Sequence, residues 1–254
     1  MRILSIDSSL GTQVAVVDTA ETAGLPVTCP VQVLSRAEQA DTRRHAESLG
    51  QMLSEALSAP GVADRPLDAV VAATGPAPFT GLRAGLVTAR VVGRTRGIPV
   101  HGVSSLDAVA RLALDELGAR QGEKDPVVLV ATDARRREVY AALFRANGPD
   151  DVTRLTEISV CPPAQVAECI AVQTPEQGSG AVTIDAVAGS GAALYPELVD
   201  LASSREVLAP VSGDALTQVR IALARLERGE ELSSDPLYLR HADVQMPAAR
   251  KRVR

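Results

Sequence analysis

Two aspartates stand where chemistry could take place, each at the end of a strand-like run. Asp7 follows the apolar run 2–6, and Asp133 follows the run 127–132; a short turn and a second strand-like run come next in both cases. A carboxylate at such a turn can hold a magnesium ion or a nucleotide, or it can simply accept hydrogen bonds from the turn amides. The repetition predicts two halves built on one plan.

Neither turn offers an obvious cradle for phosphate. Backbone amides can approach an anion closely only where glycine leaves room. Ser9 stands in the first turn, and the second reads Ala134-Arg-Arg136, whose bulky side chains would crowd a phosphate even if they attracted it. The sequence therefore favours weak or no ATP hydrolysis. The candidate nucleotide-side residues are Asp7, Ser8, Ser9, Gly189 and Gly191, although an ordinary turn explains the two glycines equally well.

A proline-rich turn leads from a buried-looking strand, 67–73, into a helix. Pro76 and Pro78 disfavour helical angles in the residues before them, so we predict that the helix begins near Thr80. Small residues then recur every four positions and form one bare stripe, although glycine inside a helix costs about 1 kcal/mol relative to alanine. We therefore expect another element to pack very close to it. The stripe consists of Gly81, Gly85, Ala89 and Gly93.

The histidines and cysteines do not predict a metal site or a disulfide framework. His45 lies near the start of a predicted helix, far in sequence from His101 and His241, and one imidazole does not make a zinc site. The cysteines are odd in number and widely spaced, which is typical of neither a zinc cluster nor a set of disulfides. They are Cys29, Cys161 and Cys169.

Composition narrows the function further. The chain has 254 residues and a formal net charge of −5, which argues against a surface that grips nucleic acid directly. No window approaches 18 consecutive apolar residues, and a charge at Asp7 comes too early for a signal peptide. We expect a cytoplasmic protein without a membrane span, in which any RNA is held through a partner.

The order of strand and helix patterns predicts an α/β fold of two domains, with mixed sheets flanked by helices. We place the first domain at 1–117, a smaller second domain at 118–213, and a basic, disordered tail at 248–254. We expect the helix 214–228 to pack back on the first domain. The other predicted helices are 42–57, 82–96 and 106–117. The predicted strands are 2–6, 13–18, 31–36, 67–73, 100–103, 127–132, 138–144 and 182–188.

The segment Thr74-Gly-Pro-Ala-Pro-Phe-Thr-Gly-Leu-Arg-Ala-Gly85 resembles the signature of the bacterial TsaB (YeaZ) family. Ala77, Pro78 and Ala84 depart from the usual pattern, in which the turn has a glycine and a serine. The resemblance extends over nearly the whole chain. Further matching segments are Ile3–Ser9, His45–Glu47, Val103–Leu106, Asp133–Arg136, Glu138–Tyr140 and Pro236–Arg240.

This resemblance implies two tandem actin-like (ribonuclease H-like) domains and a particular function. Family members are non-catalytic partners of a metal-bearing transferase of the TsaD type. Together with an ATPase subunit of the TsaE type, the assembly places threonylcarbamoyl on the adenosine next to the anticodon of transfer RNAs that read codons starting with A. The resemblance implies no catalytic residue, no metal, no cofactor of the chain's own and only indirect contact with tRNA. ATP or ADP remains a candidate ligand of the assembled complex, and a homodimer remains open for the free protein.

The implied partner surface lies on the helices 42–57 and 82–96. Catalytic relatives bind their metal through two histidines separated by three residues on the first of these helices, whereas Leu49 stands four positions after His45. Arg83 is expected either to bind an anion or partner carboxylate, or to pair with an acidic residue of its own chain. The implied interface residues are His45, Glu47, Leu49, Met52, Arg83, Gly85, Leu86, Ala89 and Gly93.

Two other functions stay open from the sequence. The same actin-like architecture occurs in ATP-dependent kinases, which the missing glycine turn disfavours. A protease ranks third, because the Gly-x-Ser-x-Gly pattern of a nucleophile elbow is absent from the chain.

Overall fold

A computed structural model describes residues 1–19, 31–41, 45–121, 125–171 and 182–239. The predicted basic tail 248–254 and His241 lie outside these residues. The strands are β1 (Arg2–Asp7), β2 (Thr12–Thr19), β3 (Val31–Gln39), β4 (Ala69–Ala73), β5 (Val100–Val103), β6 (Val128–Arg135), β7 (Glu138–Asn147), β8 (Asp151–Arg154), β9 (Ser159–Cys161) and β10 (Ala186–Ala188). The helices are α1 (His45–Ser58), α2 (Phe79–Arg96), α3 (Ser105–Gln121), α4 (Val166–Ala171), α5 (Ser190–Leu194) and α6 (Ala215–Glu227).

The first sheet has the strand order β3-β2-β1-β4-β5. β1 runs antiparallel to β2 and parallel to β4, so the sheet is mixed. β1 and β4 are buried throughout, because helices cover both faces of the sheet at these central strands. Leu4 and Ile6 face α1 and α2, whereas Ile3 and Val71 face α6.

The second sheet repeats this plan with the order β10-β6-β7-β8, and β9 also pairs with β7. β6 and β7 form an antiparallel hairpin, as β1 and β2 do, and β10 lies parallel to β6, as β4 does to β1. The predicted α/β class with two mixed sheets flanked by helices is confirmed. None of the described helices is long and apolar enough to cross a membrane.

Two helices join the halves, because each packs on the sheet of the half to which it does not belong in sequence. α3 precedes the second sheet and packs its apolar face, including Leu106, Val109 and Leu117, against that sheet. α6 follows the second sheet and returns to the first, where Val219 and Ile221 pack near β1 and β4. The predicted boundary between 117 and 118 stays a prediction, with α3 packed on the sheet of the later half.

Ion pairs tie α6 to α3 and to β8. Asp107 of α3 accepts hydrogen bonds from Arg154 at 2.8 Å and Arg225 at 2.9 Å, and it is almost fully buried. Asp151 of β8, 1 % exposed, accepts from Arg225 and also from Arg228. Since each carboxylate has two guanidinium partners, the burial of its charge is compensated. The network therefore holds the two halves in one arrangement.

Removing one carboxylate of this network should be costly. We predict that Asp151→Asn lowers the free energy of unfolding by about 3–5 kcal/mol, because Arg225 would keep only Asp107 as a carboxylate partner and Arg228 would lose its buried one. Glu38→Gln is the control, since its ion pair with Arg36 is exposed on both sides and should change stability by less than about 0.5 kcal/mol. Urea unfolding followed by circular dichroism measures both. Equal effects of the two substitutions would mean that the buried network contributes no more than a surface pair.

Candidate functional site

A cleft opens between the two halves where their aspartate turns face each other. It is open to solvent, and the space between its walls, open solvent included, is about 370 Å³. The turn after β1, the turn before α2, the start of α3 and the segment before α6 form its walls. The lining residues are Ser9, Leu10, Pro76, Ala77, Pro78, Ser105, Val109, Thr132, Asp133, Arg135, Ser190, Val211, Ser212 and Gly213.

The two aspartate turns share the same local geometry. One carboxylate oxygen of Asp7 accepts a hydrogen bond from the Ser9 amide at 2.7 Å, and one oxygen of Asp133 accepts from the Arg135 amide at 2.8 Å. Both are turns in which an aspartate bonds the backbone two residues further on. Each carboxylate thus accepts a hydrogen bond from its own turn, which is the structural role considered for Asp7 as the alternative to binding magnesium or a nucleotide.

Asp7 is also enclosed by the start of α6. Its second carboxylate oxygen accepts a hydrogen bond from the Gln218 side-chain amide at 2.6 Å, and both side chains are buried. Burial raises the pKa of Asp7 above its ordinary value of 3.8, and the hydrogen bonds from Ser9 and Gln218 offset this only in part. The nearby Asp214 carboxylate raises this pKa further. Asp7 is not among the residues that line the cleft.

The turn between β6 and β7 has an unusual backbone for its sequence. Arg135, Arg136 and Arg137 have φ values of 64°, 57° and 60°, the left-handed region that glycine enters most easily. Each non-glycine residue held there costs about 1–2 kcal/mol. Arg135 forms an ion pair with Asp133 at 3.1 Å. Where a glycine-rich turn would expose amides to a phosphate, this turn presents large side chains, so it does not fit the phosphates of a nucleotide.

Gly189 and Gly191 pack against the second sheet and do not form an open loop. A β-carbon at Gly189 would collide with the backbone of Ala131 on β6, and one at Gly191 would meet the Val139 side chain and press on the same backbone. Gly189 has a φ of 105°, and its amide donates a hydrogen bond to the Pro210 carbonyl at 2.9 Å. The ordinary structural reading therefore accounts for both glycines, which let α5 approach β6 closely. Their predicted nucleotide role gains no contact in support.

The residues of α1 do not fit a metal site. His45 begins α1, but its side chain lies outside what the structure describes. Leu49, four positions later, is 2 % exposed and packs in the core of the first half. His101 lies on β5, where burial lowers its pKa. Among the described residues, no three His, Cys, Asp or Glu side chains form a group that could hold a metal ion.

The glycine stripe of α2 faces the chain's own sheet, which corrects the expectation that it contacts a partner. The Gly85 amide donates to the Ser8 hydroxyl at 3.1 Å, and this hydroxyl donates to the Gly81 carbonyl at 2.8 Å. Gly93 lies against Val100 of β5. The other stripe and interface residues of both helices that are buried in this core are Leu49, Met52, Leu86 and Ala89.

The opposite face of α2 is exposed and partly apolar. Val87 and Val91, one turn apart, are 59 % and 54 % exposed, and Arg83 and Arg90 flank them on the same helix. Glu47 of α1 is exposed as well. Of the predicted interface residues whose side chains are described, only Glu47 and Arg83 reach the surface. We call Arg83, Val87, Arg90 and Val91 the α2 face.

Residues 231–239, which we call the strap, run back from α6 along α2. Arg83 donates to the Tyr238 hydroxyl at 2.9 Å and lies 5.4 Å from the centre of its ring. Arg90 contacts the Ser234 carbonyl at 2.8 Å and Asp235 at 2.7 Å. The Leu237 amide donates to the Thr74 carbonyl, at the turn that precedes α2. Arg83 therefore pairs with an aromatic residue of its own chain, an outcome that neither expectation for it included.

Sequence reasoning missed two residues of this region. Gln218 was seen only as part of a helical pattern, although it is the buried partner of Asp7. Tyr238 belonged to a segment that resembled the family, yet nothing in the sequence linked it to Arg83, 155 positions away. A polar residue on the apolar side of the predicted helix 214–228 was the one available signal for Gln218.

Comparison with known proteins identifies the family to which the chain belongs. A family model described as TsaD, tRNA N6-adenosine threonylcarbamoyltransferase, matches residues 32–220. Because this match covers more than half of the chain, the protein belongs to that family. The matched residues include β4 to β10, whereas β1 and β2 precede them.

Individual relatives refine this picture. An uncharacterized protein of Mycobacterium tuberculosis is 42% identical over 143 residues, which are 54% of this chain and 63% of that protein. The chain thus spans less than two thirds of this relative. The tRNA threonylcarbamoyladenosine biosynthesis protein TsaB of Haemophilus influenzae is 32% identical over 117 residues, 44% of this chain and 47% of TsaB.

A solved structure supports the whole architecture. This structure, of an uncharacterized protein with similarity to peptidase YEAZ from Pseudomonas aeruginosa, matches with a TM-score of 0.68 at 25% identity. The match covers 94% of this chain and 99% of the other. The resemblance to the TsaB (YeaZ) family and the actin-like fold expected from it are confirmed.

The inward orientation of the stripe predicts opposite effects at two helix glycines. Gly85→Ala should lower the free energy of unfolding by about 1–3 kcal/mol, because its β-carbon would displace the hydrogen-bonded Ser8 side chain. Gly50→Ala, on the open side of α1 with nothing near its β-carbon, should raise stability by about 0.5–1 kcal/mol. Chemical denaturation distinguishes them. If both substitutions stabilised the chain, the stripe would not be in close contact with the sheet.

The enclosure of Asp7 predicts a pH dependence of stability. Because the native protein keeps a proton that the unfolded chain loses, the free energy of unfolding should fall as pH rises from about 4 through the raised pKa, by up to about 1.4 kcal/mol per pH unit. Asp7→Asn should remove this fall and be at least as stable as the wild type at neutral pH. Unfolding curves over pH 4–8 test this. Parallel pH profiles of the two proteins would show that Asp7 is ionised in the native state.

Proposed function

We propose that this chain is a non-catalytic partner subunit in the synthesis of threonylcarbamoyladenosine on transfer RNA. The observation that carries the proposal is the match of nearly the whole chain to a YeaZ-like structure at a TM-score of 0.68. The similarity to Haemophilus influenzae TsaB, whose name places it in this biosynthesis, supports the same pathway. The matching family model carries the name of the transferase itself, so the features of the site must indicate which of the two roles fits.

Three features of the site support the non-catalytic role. Leu49 occupies a core position on α1, where a second metal-binding histidine would be needed. The β6–β7 turn carries three arginines where a phosphate would need room. Asp7 is buried and bonded to Ser9 and Gln218, away from the lining of the cleft. At each of these three positions, a side chain is packed, bulky or internally hydrogen-bonded where a catalytic relative would need a group free to bind metal or nucleotide.

We place the partner surface on the α2 face together with the strap. Exposed apolar side chains on neighbouring turns of a helix are typical of interaction sites. Tyr238, 45 % exposed, extends this apolar surface beside Arg83, and Leu239 follows it at a similar exposure. The partner would be the metal-bearing transferase of the TsaD type, and the same surface would support a homodimer when that partner is absent.

The remaining roles follow from the same proposal. The chain would have no cofactor of its own, and ATP or ADP would bind in the assembled complex that includes a TsaE-type ATPase. A net charge of −5 supports contact with tRNA through the partners and not directly. The site of action would be the cytoplasm.

Assembly with the transferase tests the proposal. Size-exclusion chromatography with light scattering should show a stoichiometric complex when the chain is mixed with the metal-bearing transferase from the same organism. Val87→Asp combined with Val91→Asp should weaken this complex at least about tenfold while the chain stays folded, because two charges would be buried without partners. Val33→Asp, at a similarly exposed valine of β3, is the matched control and should leave the complex intact.

Two results would argue against the proposal. Absence of any complex, together with ATP turnover by the isolated chain, would favour an ATP-dependent kinase. A complex that forms equally well with the double variant would retain the partner role but exclude the α2 face as the surface. A reconstituted assay of threonylcarbamoyladenosine formation, with and without the chain, then measures whether the transferase depends on it.

A further inference from the structure

The fold brings together two thiols that are separated along the sequence. Cys161 ends β9, and Cys169 lies in α4, the short helix that follows and packs back against β9 and β7. Both belong to the apolar cluster on one face of the second sheet, where Cys161 is buried and Cys169 is partly exposed. The Cys169 thiol is near enough to contribute to the raised pKa of the Cys161 thiol. Spacing along the chain gave no sign of this proximity.

The packing of α4 on β9 brings the two cysteines into one neighbourhood, as a disulfide requires. Bridged cysteines need side chains directed toward each other, with β-carbons about 4 Å apart, and a backbone that does not have to move far. Both side chains pack into the same apolar cluster, on one face of the second sheet. β9 is held to β7 by the pairing of Cys161 with Val139, so one of the two side chains is anchored by the sheet.

The two thiols differ in their surroundings. Burial raises the pKa of Cys161 to about 12, and the neighbouring Cys169 thiol adds to this effect. Cys161 therefore stays protonated at neutral pH and is a poor first nucleophile. Cys169 is the thiol that solvent reaches, so an oxidant in solution would meet it first.

We propose that Cys161 and Cys169 form a reversible disulfide when the protein meets a hydroperoxide. The Cys169 sulfur attacks a peroxide oxygen; an S–O bond forms, the O–O bond breaks, and the remaining oxygen leaves as water or an alcohol. The Cys161 sulfur then attacks the sulfenic acid, an S–S bond forms, the S–O bond breaks, and water leaves with the proton of Cys161. Two thiols are oxidised by two electrons, and one peroxide is reduced.

The bond would fasten α4 to the sheet. β9 is only three residues long and α4 only six, so few backbone hydrogen bonds hold either element. A covalent link between them removes conformational freedom from this part of the chain. The oxidised protein should therefore show slower amide hydrogen exchange over residues 159–171 than the reduced protein. This inference does not depend on the proposed function.

Thiol titration of the full-length chain tests it. In a Cys29→Ser background, treatment with hydrogen peroxide should remove both titratable thiols, give one linked peptide containing Cys161 and Cys169, and restore both thiols on addition of dithiothreitol. Cys161→Ala, which keeps a small apolar side chain in the core, should instead leave a Cys169 sulfenic acid that dimedone traps. Cys169→Ser should leave the remaining thiol of the folded protein unoxidised.

Two results would contradict the proposed disulfide. Two thiols that survive peroxide at a concentration that oxidises an exposed cysteine peptide would overturn the proposal. So would a linked peptide that forms only after denaturation, because the pairing would then belong to the unfolded chain. Circular dichroism of each variant shows whether it is folded, and the unsubstituted pair provides the decisive measurement if either variant is not.

Discussion

The structure depends on the crossing of α3 and α6, because each helix packs on the sheet of the other half. Burying the apolar faces of both helices requires the two halves to stay side by side, and the carboxylates of Asp107 and Asp151 fix the angle by binding arginines of α6 and its continuation. The cleft lies at the start of these two helices. Its width is therefore a result of packing and charge pairing some distance away, and any molecule that needed a wider cleft would have to break buried ion pairs.

The residues around the cleft serve internal hydrogen bonds and packing. The aspartates of both turns bind their own amides in the same way, which shows that the two halves share one local design. In the β6–β7 turn, the residues with left-handed backbone angles are arginines and not glycines. Gly189 keeps its backbone freedom but uses it to approach Ala131.

Much of the fold could be predicted from the sequence, because apolar runs and caps are local signals. Helix α6 begins after Asp214, whose side chain caps it, within one residue of the prediction. β8, β9 and α4 were missed, since elements of three to six residues carry little periodicity. The stripe on α2 was found but assigned to the wrong neighbour: spacing shows which residues share a face, whereas what that face meets is decided by long-range packing. The shared cluster of Cys161 and Cys169 was missed for the same reason.

The strap changes how truncated proteins should be interpreted. Residues 231–239 come long after α2 in the chain, yet they supply the aromatic ring against Arg83 and the carboxylate against Arg90. They also bond the backbone of the turn that precedes α2, through Thr74. Shortening the chain before residue 231 would therefore alter a surface of the first half that the deletion leaves intact in sequence. In such a fragment the deletion lies in the strap, but the binding defect would arise from the altered surface of α2.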